Sequence, residues 1–325
     1  MLDLYERNID YLRISITDKC NFRCKYCMPE DNFDILRNDE ILTFDEIIKI
    51  CRCASKLGIV KIKITGGEPL FRTDVIDLIK SIKKLPHIKN VTLTTNGAFL
   101  YDKIQELKNS GIDSINVSLD TLIKEKFNDI TRRNEFDRVI EGIKAAINIG
   151  IKIKINCVPI RNFNFDEIAD IAAISKDKNI DVRFIEMMPI GIGESFKGIS
   201  NREVLDILEK EYGKFSRLGS TNDNGPAVYY KNEKFKGRIG VISAVSNEFC
   251  DNCNRIRVTA EGSLKPCLCY GTGIDLKTLI INGCNEDELT EAIKIGILSK
   301  PKKHEFNKGK KSSNIEIRKM SQIGG

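Results

Sequence analysis

The sequence predicts an α/β chain, a partial TIM-type β/α barrel followed by a C-terminal α+β segment, and three observations predict it. From residue 11 to about residue 190 six short strand-like segments alternate with stretches of helical period. Those strands are apolar on one face and polar on the other, whereas parallel strands covered on both sides are normally apolar throughout. After about residue 190 the alternation gives way to Gly-rich loops, turns and hairpin-like patterns. A chain of 325 residues suits one large barrel or two domains. We place the barrel at residues 1–215 and the C-terminal unit at 216–325.

The first strand, "YLRISIT", sets Leu12, Ile14 and Ile16 against Arg13, Ser15 and Thr17. The helix "TFDEIIKICRCASKLG" follows, then the strand "KIKITGG" with Ile62 and Ile64 against Lys61, Lys63 and Thr65. After the helix "TDVIDLIKSIKKL", "VTLTTNG" opposes Val91 and Leu93 to Thr92, Thr94 and Asn96. The helix "DKIQELKNSG" leads to "SINVSLD", with Ile115, Val117 and Leu119 against Asn116, Ser118 and Asp120. The helix "EFDRVIEGIKAAINIG" leads to "IKIKIN", with Ile151, Ile153 and Ile155 against Lys152, Lys154 and Asn156. The helix "FDEIADIAAISKDKN" precedes the sixth strand, "DVRFIEMMP". Several helices end in Gly or Asn, as C-termini do.

If the Ile/Val/Leu face packs under these helices, the polar and basic face lines the inside. A closed eight-stranded barrel fills that space with branched apolar side chains. This interior would instead be open enough for a large, wet, anionic ligand. An antiparallel sheet with one solvated face is the plainer alternative, and the intervening helices disfavour it. Beyond residue 190, "PIGIGESFKG" is a loop, "NREVLDILEKEYG" and "NEDELTEAIKIGILS" are helical, and "STNDNGPAVYYKNEKFKGRIGVIS" is turns and antiparallel strands.

The charge balance, 52 Lys+Arg against 46 Asp+Glu, gives a net +6, which suits an anionic ligand without implying a nucleic-acid coat. "MLDLYERNIDYL" has neither a signal nor a transit pattern, and no run approaches the roughly 18 apolar residues of a membrane span. The expected location is cytoplasmic. Eleven cysteines there are better metal ligands than disulfides. Only His87 and His304 are present, neither near a cysteine cluster in sequence, so Ser/His/Asp, His-zinc and His acid–base chemistry are poorly supplied.

Cys20, Cys24 and Cys27 form C-x3-C-x2-C on the loop after the first strand, at the rim where β/α barrels keep their active sites. Three thiolates can bind three irons of a cubane and leave the fourth open, whereas a structural zinc wants four ligands and would need another from far along the chain. A second set, Cys250 and Cys253 with Cys267 or Cys269, is by itself a fair zinc ribbon. Arg255 and Arg257, at period-two spacing between its cysteines, point instead to an anion. Cys51, Cys53, Cys157 and Cys284 fit packed positions better than ligand positions.

With an aromatic, Tyr26, before the last thiol and the "GGEP" stretch Gly66, Gly67, Glu68 and Pro69 after the second strand, the chain resembles the radical S-adenosylmethionine (SAM) superfamily. Two glycines allow close backbone approach to a ligand, and Glu68 can accept from an ammonium group. The second cysteine set, "GPAVYY", "GRIGVISAVS" and the terminal "SQIGG" are similar to its GTP 3′,8-cyclase family, over residues 5 to 325.

The resemblance implies two 4Fe-4S clusters, on Cys20, Cys24 and Cys27 and on Cys250, Cys253 and Cys267, which leaves Cys269 a non-ligand. SAM would be held by Tyr26, Gly67, Glu68, Ser118 and Met188. GTP would be held by Arg13, Lys61, Lys63, Thr94, Lys154, Arg183, Arg255 and Arg257. Reductive cleavage of SAM would give a 5′-deoxyadenosyl radical that takes the ribose C3′ hydrogen, after which the carbon radical attacks guanine C8. Arg255, Arg257 and the tail glycines Gly324 and Gly325 would serve turnover. The C-terminal unit would carry the second cluster and part of the substrate site. The resemblance also implies a homodimer, a reducing electron donor and cyclic pyranopterin monophosphate synthase as the next enzyme, with no nucleic acid or membrane partner. Lys63 stands where the family commonly has Arg, which keeps the charge but loses a bidentate fork. Two alternatives remain: a peptide-modifying radical SAM enzyme with an auxiliary cluster, and a zinc-dependent nucleic-acid-binding protein.

Overall fold

The computed structural model describes residues 1–31, 35–219, 225–246, 249–306 and 314–324. The alternating strands form where expected: β1 (Tyr11–Ser15), β2 (Lys61–Thr65), β3 (Asn90–Thr95), β4 (Ser114–Ser118), β5 (Ile153–Cys157) and β6 (Asp181–Ile185). They pair in parallel and in order. Between them run α1 (Phe44–Lys56), α2 (Val75–Lys83), α3 (Leu100–Asn109), α4 (Lys124–Thr131), α5 (Phe136–Asn148) and α6 (Ile168–Ala173). The short α4, rich in polar residues, has no counterpart in the sequence reading.

Local chemistry sets the ends of the helices. Thr43 and Glu46 form a reciprocal capping box on α1, satisfying N–H groups that the first turn leaves orphaned. Gly58, Gly111 and Gly150 take left-handed φ of 89°, 77° and 75° just after α1, α3 and α5, which a side chain would resist.

The C-terminal half departs from the expected hairpin in one respect that matters for the site. After α7 (Asn201–Tyr212) come β7 (Ser216–Arg217), β8 (Val228–Lys231), β9 (Ile239–Ile242), β10 (Arg255–Val258), β11 (Ser263–Lys265) and β12 (Ile274–Asp275), then α8 (Leu276–Ile281) and α9 (Glu286–Leu298). β8 and β9 are antiparallel as expected, but β9 also joins β6 in parallel, and β10 joins β1 in parallel. One twelve-stranded sheet results, ordered β12-β11-β10-β1-β2-β3-β4-β5-β6-β9-β8-β7, with eight consecutive parallel strands at its centre. It stays open between β12 and β7, as a partial barrel does.

The apolar faces are buried as the alternation demands: Leu12, Ile14, Ile62, Ile64, Val91, Leu93, Ile115, Val117, Ile153 and Ile155 lie in one core cluster with the inner faces of the helices. Cys51, Cys53 and Cys157 are packed in that core. The opposite face looks into the barrel.

Candidate active site

Inside the sheet lies a cavity of about 340 Å³, within the range of small-molecule sites. The polar strand faces form its wall. Arg13, Lys63, Thr94, Ser118, Lys154 and Arg183 line it from the first six strands, and Arg255 and Arg257 from β10.

Strand register fixes the layout. Arg257, Arg13 and Lys63 stand side by side on β10, β1 and β2. Lys154 follows Thr94 and Asn116 across β3 to β5, and Arg183 lies beside Asn156. On β9, opposite Arg183, a Cβ at Gly240 would lie 2.8 Å from Arg183 Cγ and 3.0 Å from Tyr229, so glycine there leaves room for both side chains.

The thiol sets lie at opposite ends. The loop bearing Cys20, Cys24 and Cys27 leaves the C-terminal end of β1, while Cys250 and Cys253 precede the N-terminal end of β10, which is parallel to β1. Cys267 follows β11, antiparallel to β10, and so returns to that same lower end. All six thiols line the cavity, and the strand between them spans about 13 Å.

The upper loop is braced by main chain. Arg23 donates to the carbonyls of Cys20 and Phe22 at 2.6 and 2.9 Å, and Arg133 to that of Asn21 at 2.8 Å. Burial pushes the Cys20 thiol up to about 12 and that of Cys27 up to about 11. Cys24 is raised by burial and then by the neighbouring Cys27 and Cys20. Thiols that disfavour one another's charge are close enough to share a cation.

At the lower end burial also pushes Cys253 up, but Arg255 and Lys300 outweigh it and bring the thiol down to about 6, a thiolate at neutral pH. Arg7, almost fully buried, pairs with Asp3 at 2.6 Å and donates to the carbonyls of Cys250, Pro301 and Lys302 at 3.0, 2.8 and 3.0 Å. Lys300 in turn donates to the carbonyls of Arg255 and Pro266.

Cys267 and Cys269 differ in placement. Cys267 lines the cavity, whereas Cys269 is fully buried, does not line it, accepts the Glu305 N–H at 3.4 Å and is pushed by burial up to about 11. Among the described residues no three ligand side chains already stand as a closed metal cage. The donor set and its placement nonetheless fit iron–sulfur ligation, soft sulfur in threes. In the wall between them Arg183 Nε, Arg255 Nε, Thr92 Oγ1 and Asn156 Oδ1 are buried without a hydrogen bond, which suits a polar ligand.

Two assigned residues, Glu68 and Lys61, sit otherwise than expected, whereas Gly67 lines the cavity. Gly66 and Gly67 face the cysteine loop: a Cβ on Gly66 would lie 2.6 Å from the Thr17 carbonyl oxygen, and one on Gly67 2.4 Å from that of Lys19. Glu68 is fully buried and is not part of the cavity wall. Its carboxylate accepts from Leu70 N, Thr95 Oγ1 and Asn96 N at 2.9, 2.7 and 2.7 Å, with its pKa pushed by burial to about 7. Lys61 shares the inward face but lies at the foot of β2, paired with Asp10 at 2.9 Å and outside the cavity wall. Tyr26 and Met188 line the cavity, and the Tyr26 hydroxyl donates to Asp120 at 2.6 Å.

The carbonyl of Gly324 accepts from Arg13 Nη2 and Arg257 Nη1 at 3.3 and 3.2 Å. A Cβ there would meet Thr65 Oγ1 at 2.9 Å, at a φ of 73°. Gly325 lies outside the described residues.

The structure adds wall residues that the sequence list lacks. Asn96 and Asp120 continue alternations already visible on β3 and β4. Tyr229, which contacts Lys154 Nζ at 3.1 Å, and Ser321, hydrogen-bonded to Cys27, lie within the "GPAVYY" and "SQIGG" stretches, but nothing in the sequence gives either a role of its own. His304, remote in sequence from both cysteine sets, is in the wall beside Phe306, its ring centroid 4.7 Å away.

Comparison with known proteins gives two family models in succession along the chain. The radical SAM superfamily model matches residues 14–174 and the Molybdenum Cofactor Synthesis C model residues 180–306. A GTP 3′,8-cyclase of Clostridium perfringens (strain 13 / Type A) is 47% identical over 325 residues, and one of Syntrophomonas wolfei is 44% identical over 329, each covering 100% of both chains. Among solved structures, Streptococcus suis SuiB bound to precursor peptide SuiA superposes with a TM-score of 0.67 at 16% identity, over 98% of this chain and 76% of that one, a likeness of fold.

Proposed function

From the premise that the chain belongs to the GTP 3′,8-cyclase family of the radical SAM superfamily, we propose that its cavity binds GTP on the buried cations and SAM at the upper thiol set. The enzyme catalyses the first step of molybdenum cofactor biosynthesis, converting GTP to (8S)-3′,8-cyclo-7,8-dihydroguanosine 5′-triphosphate with SAM and iron–sulfur chemistry.

The observation that carries this reading is the row of like charges. Burial lowers the Arg13 pKa to about 10, where Tyr11 raises it and Arg255 and Arg183 lower it further. Burial first, then Arg183, Arg13, Lys154 and Arg255, holds Lys63 well below the usual lysine range. Burial with Arg13 and Arg255 does the same to Arg257. Such a row is costly without an anion and complementary to a triphosphate.

Two 4Fe-4S clusters would be held by Cys20, Cys24 and Cys27 above and Cys250, Cys253 and Cys267 below. When bound, the upper cluster and SAM supply a 5′-deoxyadenosyl radical able to take the ribose C3′ hydrogen of GTP. The chain's own residues position the reactants. Tyr26, Gly67, Ser118 and Met188 form the wall for SAM, with Glu68 tying the β2 and β3 loops together behind it. Arg13, Lys63, Lys154, Arg183, Arg255 and Arg257 hold the phosphates and the developing product, with Thr94 as a neutral donor. Gly324, on Arg13 and Arg257, fixes two guanidiniums in their working orientation. The enzyme works as a homodimer, is reduced by an external donor and passes its product to cyclic pyranopterin monophosphate synthase.

A peptide-modifying enzyme would share the fold but have no use for so many inward cations. A zinc-dependent nucleic-acid binder would carry its cations on an exposed face. Incubating anaerobically reconstituted protein with GTP, SAM and dithionite should release 5′-deoxyadenosine and a cyclised nucleotide. Release of 5′-deoxyadenosine that does not respond to GTP would refute the substrate assignment.

A further inference from the structure

The C-terminal tail reaches the cation row from an anchor whose residues no feature of the sequence singled out. Glu316 is almost fully buried, and its carboxylate accepts from Lys265 Nζ, from the Arg318 N–H at 2.9 Å, and from Arg318 Nε and Nη2 at 3.1 and 3.0 Å. Arg318 Nη1 donates to Glu261 as well. Lys265, with no exposed surface, also donates to the Tyr270 carbonyl at 2.6 Å. Main chain reinforces these bonds: Glu316 N donates to Cys269 O and Gly271 N to Asn314 O, both at 2.8 Å, and Ile315 bridges to Tyr270.

This anchor and the seat of the terminal glycine share one strand pair. In the β10–β11 register Arg257 is the partner of Lys265. Arg257 holds the Gly324 carbonyl, and Lys265 holds Glu316. Five residues separate Arg318 from Gly324, and they include a tight turn at Met320–Gln322 with Ile323 and Met320 packed on Ile190, Leu268 and Phe306. So short and folded a tether passes a displacement at one end to the other.

The seat has little tolerance. The bonds to the Gly324 carbonyl, at 3.3 and 3.2 Å, are near the outer limit of N–H···O bonding. On its other side Thr65 and Ser15 already crowd the glycine. Movement of a few tenths of an ångström would cost one bond or force a clash.

We propose that Lys265, Glu316, Arg318 and Glu261 are positioning residues that anchor the tail and thereby set where Gly324 meets Arg13 and Arg257. The inference rests on the cation row being the substrate site. A buried ion pair is a poor source of stability compared with apolar packing, and its use is to hold one arrangement among several.

The test uses the anaerobically purified holoenzyme with Arg318→Glu and Arg318→Lys, substitutions at a side chain that is partly exposed. Arg318→Glu places a third carboxylate beside Glu316 and Glu261. Hydrogen exchange over residues 314–324 should quicken, and GTP turnover should fall about ten- to a hundredfold. Iron content and the binding of SAM should stay at wild-type levels. Arg318→Lys, which keeps a cation beside Glu316, should retain both tail protection and most of the turnover. Wild-type tail protection in Arg318→Glu would overturn the proposal, as would lost turnover with protection intact. Should the wild type itself fail to cyclise GTP, the functional reading falls, while the exchange comparison alone still decides whether the anchor holds the tail.

Discussion

Gly67→Ala should cripple the upper thiol site through main-chain geometry alone. The added Cβ would stand 2.4 Å from the Lys19 carbonyl oxygen and 2.5 Å from that of Asp18, both in the chain directly before Cys20. Ordinary contact requires about 1 Å more, and backbone rather than a flexible side chain must supply it. Withdrawal on that scale strains two hydrogen bonds that pin the loop, Gly67 N to Thr17 O at 2.7 Å and Glu68 N to Lys19 O at 2.8 Å. Losing both at about 1 kcal/mol each, with about 1–3 kcal/mol of overpacking, gives roughly 3–5 kcal/mol. For a chain of this size that lowers Tm by roughly 4–7 °C. Cys20 would shift with the loop, and a misplacement of about 1 Å can cost about a hundredfold in rate. The assay is a melting curve, an iron count and 5′-deoxyadenosine release from the anaerobically reconstituted variant. Gly219→Ala is the control, since a Cβ there meets nothing within 4 Å. A Gly67→Ala protein that melts with the wild type and releases 5′-deoxyadenosine at its rate would refute the reasoning.

Lys63→Met should leave the GTP-free protein as stable as the wild type or more so, because it removes a buried, repelled cation, while GTP binding weakens about ten- to a hundredfold with the loss of a charge-assisted contact. The lysine pKa is lowered in the folded state, so between that value and the unfolded value of 10.5 the unfolded chain binds more protons and stability rises with pH. The stability advantage of Lys63→Met, measured by denaturant titration, should therefore be largest near neutral pH and shrink as pH climbs toward 10.5. Cys267→Ala should lose iron from the lower site, whereas Cys269→Ala should keep it; iron analysis of the two variants reversing that order would exchange their roles. Tyr229→Phe removes a hydroxyl 3.1 Å from Lys154 Nζ and should raise the KM for GTP about fivefold with kcat nearly unchanged, as steady-state kinetics would show.

The fold was legible where its cause is local. A strand with one polar and one apolar face announces itself by period two, and the inward Arg13, Lys63, Thr94 and Lys154 follow from that alternation alone. Depth along a strand does not: Lys61 shares the face of Lys63, yet at the strand's foot it meets Asp10 instead of the cavity. Pairing between distant segments leaves no local trace either. β10 joins β1 across some 240 residues, and this is what brings Arg257 beside Arg13 and sets the second thiol group opposite the first. "GGEP" was visible as a motif, but its glycines and Glu68 are spent on the cysteine loop and the β3 end, contacts that spacing cannot reveal. "CLC" left two candidate thiols, because β11 ends at Lys265 and alternation stops with it.

The interior row explains why a triphosphate suits this cavity better than a singly charged ligand. Arg257, Arg13 and Lys63 occupy neighbouring strands, which run about 4.8 Å apart. With the charged heads splayed to about 10 Å, each pair still repels by roughly 1–2 kcal/mol at an effective dielectric constant of about 20. The acidic residues near the foot of the strands are already engaged, Asp10 by Lys61 and Asp181 by Arg238 at 2.6 Å with Lys154 at 3.5 Å. The tail answers Arg13 and Arg257 with a carbonyl dipole, which orients guanidiniums without cancelling their charge. Apolar residues of equal volume would make a more stable sheet, so the row is an expense that folding does not recover. A ligand recovers it in proportion to the charges it can set against several strands at once, and a chain of three phosphates does so where a single carboxylate would satisfy one strand and leave its neighbours repelling. Thiol sets at the two ends of that row then face whatever the row holds, one from above and one from below, which is the geometry a nucleotide needs if it is to be gripped at one end and attacked from the other.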